Sequence, residues 1–385
     1  MVNRIVDFSS KNSFFLFGAR GTGKTHLLKE RYAHGNNWYL DLLNPALSRK
    51  YLLNPEVFLQ ELAALKPRPE WVIIDEVQKV PSLLDLIHQQ IESTKQKFIL
   101  SGSSARKLKR GAANLLAGRA FVYNLFPLTV KEIGNSFNLQ EALHWGTLPK
   151  LLDLPDVQDK REYLRAYANT YLREEILQEQ IIRKLEPFQR FLPVAAQMAG
   201  KVINYSKIAM DTGTSVPTIQ SYFQILEDTL LGFALPQFHE SIRKRQRSNP
   251  KFYFFDIGIQ RTLLDELNTT VSPRTSVYGH AFEQFVINEI NRLQSYYRKD
   301  YRLSYILTGA GVEIDLIIER PGLKRAAVEI KSTTNITASD LKGLLSLGKD
   351  IPECELFCLS NDATHKIIDG VNCLPWQVGL VELGL

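Results

Sequence analysis

Apolar residues follow two rhythms along this chain, and the rhythm changes near residue 127. Up to that point they come in short unbroken runs, Phe14–Phe17, Trp38–Leu42, Trp71–Ile74, Phe98–Leu100 and Phe121–Leu125, with polar or helix-patterned segments between them. Short apolar runs bounded by turn residues predict strands buried on both faces, and their alternation with helices predicts a doubly wound parallel sheet, an α/β fold. From 128 to 185 the spacing is helical, densest in the Tyr- and Leu-rich stretch Tyr163–Ile182. Phe188, Phe191, Leu192, Ala195 and Met198 then share one face of a helix ending at Gly200. A short helix over Ser206–Met210 is stopped by Asp211-Thr212-Gly213. A third, capped by Ser215 and with Pro217 in its first turn, turns Ile219, Phe223, Leu226 and Leu230 inward. After a polar break at Asp265–Arg274, Glu283, Val286, Ile287 and Ile290 fall on one helical face. Alternation then predicts strands over Val312–Glu319 and Ala326–Lys331, the first with Val312, Ile314, Leu316 and Ile318 on one side and Glu313 and Asp315 on the other.

At 385 residues the chain exceeds one ordinary core. The pattern divides it into 1–127, an α/β core with five strands; 128–185, a helical lid; 186–262, a three-helix unit with strands behind it; and 273–385, a C-terminal α/β unit. Hydrophobic residues at 44% and charged residues at 23% exclude wholesale disorder. A net charge of +6 fits an acidic partner such as nucleic acid without requiring one. No apolar run approaches the roughly 18 residues that span a bilayer, and Phe14–Gly18 is too short and wrongly flanked for a signal peptide, so a cytoplasmic protein is expected. Cys354, Cys358 and Cys373 are expected as reduced thiols, because with His365 their spacing fits no common zinc ribbon or finger.

Between the first strand and the next helix stands Gly18-Ala19-Arg20-Gly21-Thr22-Gly23-Lys24-Thr25, with every fixed position of GxxxxGK[ST] filled. Such a loop wraps backbone N–H groups around the phosphates of ATP: Lys24 reaches the outer phosphates and the Thr25 hydroxyl ligates Mg²⁺. Arg20, Gly21, Thr22 and Gly23 complete the candidate loop contacts. The third strand ends in Asp75-Glu76, where Asp75 would hold the magnesium and Glu76 would take the proton of the attacking water. The fourth runs into Ser101-Gly102-Ser103, so Ser101 and Ser103 are both candidate sensors of the γ-phosphate. Arg119, ahead of the fifth strand, is the candidate arginine for transition-state charge, in cis or from a neighbouring subunit.

In this order, GARGTGKT, WVIIDEVQKVP, ILSGSS, LLAGR and FPLTVKEI resemble the additional-strand class of P-loop ATPases, of the AAA or STAND kind. They further resemble a prokaryotic family in which that ATPase is fused to a winged helix and a restriction-like C-terminal domain. The resemblance implies a homo-oligomer, with a hexameric ring as one form, acting as a motor on branched or damaged DNA.

The three helices of 186–230 look like a winged helix-turn-helix. Thr218, Gln220, Ser221 and Gln224 on the outward face of the third could bond DNA, although that face has no arginine or lysine. Positive charge is available instead in Arg243-Lys244-Arg245-Gln246-Arg247, where a wing would lie. Asp315, Glu329-Ile330-Lys331 and the helical Glu283 look like a PD-(D/E)xK nuclease set, with Ile314 in place of the proline. In that reading Asp315 and Glu329 hold one or two divalent metals, Glu283 holds a metal or a water beside it, and Lys331 activates water. The expectation is a DNA-acting ATPase with a metal-dependent nuclease-like domain. The alternatives are an ATP-driven DNA motor, or a regulatory switch whose C-terminal domain binds DNA or protein without cutting.

Overall fold

The computed structural model describes residues 2–103, 118–172, 185–241 and 248–385. In the N-terminal unit β1 (Ser13–Phe17), β2 (Asn37–Asp41), β3 (Trp71–Asp75), β4 (Lys97–Gly102) and β5 (Ala120–Asn124) form one parallel sheet in the order β2-β3-β4-β1-β5, so β4 is the strand inserted between β3 and β1. Its strands alternate between two cores. Phe15, Phe17, Val72, Ile74, Phe98 and Leu100 pack under α2 (Pro45–Leu53), α3 (Val57–Ala64) and α4 (Leu83–Thr94). Phe14, Leu16, Ile73 and Ile99 pack against Leu27 and Leu28 of α1 (Lys24–Arg31) on the other face. Helices on both faces leave only the strand ends open, which is where a ligand can enter.

The next segments, α5 (Val130–Ile133), α6 (Leu139–Trp145), α7 (Pro149–Leu152) and α8 (Val157–Ala166), are the described part of the expected lid; 173–184 lie outside the described residues. Three helices follow, α9 (Leu185–Gln197), α10 (Tyr205–Thr212) and α11 (Val216–Asp228), then an antiparallel ribbon of β6 (Gly232–Leu235) and β7 (Lys251–Phe254). Ser215 caps α11 by accepting from the Thr218 N–H, and Gly213 ends α10 in the left-handed conformation. Lid and three-helix unit share one core: Leu148, Leu164 and Tyr167 are continuous with Phe188, Phe191, Ile219 and Phe223. Leu230 is the exception to the expected inward set, lying beyond the end of α11 and packing on the ATPase core.

The chain continues through α12 (Ile257–Leu263) into α13 (Ser276–Tyr296). The intervening polar stretch is not a free linker, since Leu267 and Val271 are buried in two different cores. The C-terminal sheet comprises β8 (Arg302–Leu307), β9 (Glu313–Glu319), β10 (Arg325–Lys331), β11 (Cys354–Ser360), β12 (Lys366–Ile368) and β13 (Val371–Pro375), ordered β12-β13-β11-β10-β9-β8. It is mixed: β10, β11 and β13 are parallel neighbours and the other pairings are antiparallel. α13 and α15 (Trp376–Glu382) cover one face and α14 (Lys342–Gly348) the other. Simple alternation fails in β9. Ser304 pairs with Ile317 and Ile306 with Ile314, so β9 carries one residue more than β8. That bulge puts Ile314 in the core of Ile317 and Ala327, while Leu316 and Ile318 face α13.

Candidate functional site

A cleft of about 900 Å³ opens at the carboxyl ends of β1 and β3, lined by Arg20, Gly21, Gly23, Lys24, Thr25 and Glu76 below and by Leu128, Pro149 and Tyr163 above. Gly23 enters α1 at φ 93°, a conformation that side chains rarely adopt. At Gly18 a side chain would strike the Leu125 carbonyl. Gly21 lies beneath Tyr163, and Tyr167 donates to the Arg20 carbonyl at 2.8 Å, so the lid rests on the loop. The Thr22 side chain is buried and donates to the Ala19 carbonyl at 2.8 Å. The Lys24 ammonium is buried and donates to the carbonyls of Gly18 (2.7 Å) and Ala19 (3.3 Å).

Asp75 is fully buried and accepts from Thr25 Oγ1 (2.6 Å), Tyr39 OH (2.7 Å) and Ser101 Oγ. Burial, then the neighbouring Asp75 charge, pushes the Tyr39 phenol far up, so it stays a proton donor. Thr25 and Asp75 together offer the hydroxyl and carboxylate oxygens that suit a hard divalent ion travelling with ATP. Glu76 is held in the left-handed region at φ 61°. A non-glycine residue there costs on the order of 1–3 kcal/mol, a strain typical of functional turns. Gln78, in the turn Val77–Lys79, donates from Nε2 both to Glu76 Oε2 and to Ser103 Oγ, the latter at 3.2 Å. The two serines have different side-chain partners: Ser101 donates to Asp75 and accepts from the Glu76 N–H at 3.3 Å, while Ser103 accepts from Gln78.

Sequence reading passed over Tyr39, Gln78 and Arg4. Arg4 is buried and donates to the Thr22 carbonyl of the loop (2.8 Å), to the Phe126 carbonyl (2.6 Å), to Glu132 (2.9 Å) and to Tyr296 OH (2.8 Å) at the end of α13. For Arg119 only the option within its own chain is lost. It precedes β5, whose first residue pairs with Ser13 at the start of β1, and it is bound to Glu92 at the end of α4. That is the opposite end of the sheet from the phosphate loop, so Arg119 does not reach the phosphates of its own chain.

In the three-helix unit Gln220 and Gln224 are exposed and Thr218 and Ser221 half-buried. Thr218 shares a 2.8 Å hydrogen bond with the Ser215 hydroxyl, and Gln224 donates to Asp228 at 3.1 Å. Arg243, Lys244, Arg245 and Arg247 lie outside the described residues.

The C-terminal carboxylates do converge. The β9–β10 ladder is paired through Leu316 and Val328, and beyond it Asp315 Oδ2 accepts from the Ile330 N–H at 2.7 Å. Glu329 pairs with Lys331 at 2.5 Å. Glu283, from α13, accepts from Tyr253 OH at 2.9 Å and lies 3.5 Å from Lys251 Nζ. Burial and then the other carboxylates push Asp315 up to about 7 and Glu329 to about 8. Glu329 Oε2 is buried with no hydrogen-bond partner among the described residues, which agrees with a carboxyl held neutral. Among the described residues no group of three or more His, Cys, Asp or Glu is arranged to hold a metal ion. The cysteines are free.

Residues 10–134 match a family described as AAA domain. The N-terminal unit is a AAA-type P-loop ATPase domain. The match supports ATPase activity for this domain. Residues 136–270 match a domain of unknown function (DUF8612), a single stretch covering both lid and three-helix unit, and residues 278–378 match another (DUF4143). An uncharacterized protein of Mycobacterium tuberculosis is 27% identical over 336 residues, covering 86% of this chain and 73% of the relative. One of Haemophilus influenzae is 22% identical, covering 71% and 73%. Domain III of the Thermotoga maritima replication initiation protein DnaA overlaps 57% of this chain and 85% of its own, at 15% identity and TM-score 0.23. A structure of two coordinating Pif1 helicases at forked DNA overlaps 40% and 48%, at 16% identity and TM-score 0.23. No helix among the described residues is long and apolar enough to cross a membrane.

Proposed function

We propose that this chain hydrolyses ATP in the AAA-domain cleft and uses the nucleotide state to reposition its lid and three-helix unit against DNA. The observation that carries the hydrolytic part is the convergence of Thr25, Ser101 and Tyr39 on Asp75, with Glu76 on the next residue. In this reading Lys24 leaves the loop carbonyls for the outer phosphates, and Thr25 and Asp75 hold the magnesium of MgATP. Glu76 takes a proton from water as its oxygen bonds to the γ-phosphorus, and the bond to the β–γ bridging oxygen breaks with its electron pair leaving on ADP.

The DNA part rests on a helix order compatible with a winged helix and on the chain's positive charge. Thr218, Gln220, Ser221 and Gln224 are the proposed contacts, joined by Arg243, Lys244, Arg245 and Arg247. One observation favours the rival, a switch that docks a protein. The exposed face of α11 carries no arginine or lysine, and Gln224 is engaged with the carboxylate of Asp228. A ring oligomer is proposed on the resemblance alone, and within it Arg119 would act on a neighbour's nucleotide. The metal-dependent nuclease reading of Glu283, Asp315, Glu329 and Lys331 is not part of the proposal, because internal lysines already engage that cleft.

The test measures ATP turnover of wild type, Lys24→Ala and Glu76→Gln, with and without duplex and forked DNA. Turnover lost in both variants and stimulated in wild type by DNA in a salt-sensitive way is expected. Turnover that survives Lys24→Ala refutes hydrolysis in this cleft, and turnover indifferent to DNA shifts the reading to the protein switch.

A further inference from the structure

Lys251 is the first residue of β7, in the ribbon of the middle unit, yet its side chain reaches the C-terminal unit. There it is 5% exposed, with Nζ 3.5 Å from Glu283 Oε1 and paired to Glu313. It also lies 5.5 Å from the centre of the Tyr305 ring on β8. The backbone brings it there. The segment after β6 runs along edge strand β8, with Phe238 N–H donating to the Tyr305 carbonyl (2.7 Å) and Tyr305 N–H donating to the Pro236 carbonyl (3.0 Å). Tyr305 OH closes the contact on the Asn249 carbonyl at 2.7 Å. The ribbon therefore covers an otherwise open sheet edge and delivers a cation into the carboxylate cleft.

A nuclease metal requires carboxylate oxygens free to turn toward it. Here each carboxylate already has at least one partner within the protein, and the one oxygen left over on Glu329 belongs to the carboxylate paired with Lys331. Glu283 is bound by Lys251 and Tyr253, Glu313 by Lys251, Asp315 by the Ile330 N–H and Glu329 by Lys331. A divalent ion entering beside Lys251 would meet a buried ammonium of like charge.

We propose that this cleft is a cation site already filled by the protein: Lys251 stands between Glu283 and Glu313 where a divalent ion would sit, and the cleft clamps the middle and C-terminal units together instead of binding metal. The residues expected to hold a catalytic metal are thus committed to an internal network of hydrogen bonds and lysine contacts. The claim is independent of the ATPase reading, since its test needs no nucleotide.

The experiment counts bound Mn²⁺ on the nucleotide-free full chain by electron paramagnetic resonance, for wild type, Asp315→Asn, Lys251→Met and the double variant. Equal stoichiometry is expected for wild type and Asp315→Asn, with one further Mn²⁺ per chain in Lys251→Met and its loss in the double variant. Wild type binding one Mn²⁺ more than Asp315→Asn overturns the proposal. That comparison needs no change at Lys251, so it decides even if Lys251→Met does not fold. Lys251→Gln, which keeps a hydrogen-bond donor but not the charge, is the second variant, and a folded Lys251 variant that gains no Mn²⁺ overturns the proposal as well.

Discussion

Arg4 donates a 2.8 Å hydrogen bond to Tyr296 OH across 292 positions of sequence, and the same guanidinium reaches the Thr22 carbonyl of the phosphate loop. Tyr296 is the last residue of α13, which carries Glu283 nearer its other end. The helix is also held to the lid along the way. Arg292 donates to the Leu128 carbonyl (3.1 Å) and to Thr147 Oγ1 (3.0 Å), and Glu289 accepts from the Val130 N–H at 2.9 Å. The phosphate loop and the carboxylate cleft are therefore connected by one helix and a set of buried polar contacts.

Arg4→Met should be strongly destabilising. Arg4 and Glu132 are buried together, with side-chain exposures of 6% and 0%, and the substitution strands the glutamate. Breaking one side of a buried pair costs roughly 3–5 kcal/mol. Glu132 also accepts from the Thr129 N–H at 2.9 Å in a capping box, which softens the loss. Urea unfolding of the full chain measures it. Adding Glu132→Gln should recover part of the loss, and no recovery would mean that the contacts to Thr22 and Tyr296 carry the stability.

Gln78→Ala should separate turnover from binding. Gln78 touches Glu76 and Ser103, while Lys24 and Asp75 are held by other groups, so ATP affinity should stay within about threefold. General-base catalysis supplies roughly 10²–10⁴ in rate, and loosening the base should forfeit about tenfold of it. Steady-state kinetics beside equilibrium binding of a fluorescent ATP analogue decide the matter. A fall in affinity matching the fall in kcat would make Gln78 a structural residue of the cleft, and recovery by Gln78→Asn would support positioning.

Much of the nucleotide cleft was legible because its chemistry is local in sequence: loop, strand end and carboxylate pair each announce themselves within a few residues. Gln78 was within reach on that basis, two positions beyond Glu76, but glutamine carries no charge to draw notice. Arg4 was not, since nothing near it in sequence reveals that the chain returns at Phe126 and Tyr296. The cis option for Arg119 could have been removed from sequence, because a residue ahead of a parallel strand lies at the amino end of the sheet and the ligand binds at the carboxyl end. In β9, alternation assigned Ile314 to the wrong face because a bulge changes parity without any glycine or proline to mark it. The carboxylates do lie near one another, but Lys251, more than sixty positions from Asp315 and in another unit, was invisible to any local pattern.

The protonation of that cluster gives a pH dependence of definite sign. Asp315 rises from 3.8 to about 7 and Glu329 from 4.5 to about 8, chiefly through burial and then through mutual repulsion with Glu283 on α13 and Glu313 on β9. Lys331 and, from β7, Lys251 oppose the shift in part, and both lysines keep their charge throughout this range. Glu289, buried beside Arg292, rises separately to about 7. Between pH 5 and 7 the folded chain holds protons that the unfolded chain has released, so stability falls as pH rises through this window and levels off above about 8. Each fully retained proton contributes a slope of up to about 1.4 kcal/mol per pH unit. Asp315→Asn with Glu329→Gln should remove the two contributions of the cleft pair and leave a shallower slope, set by Glu289 and by Glu283, Asp256 and Glu227, which burial also pushes up. Urea unfolding from pH 5 to 8.5 measures the slope in wild type and double variant. An unchanged slope would mean that Asp315 and Glu329 are both ionised in the native protein, and the buried network would then need a cation beyond Lys251 and Lys331.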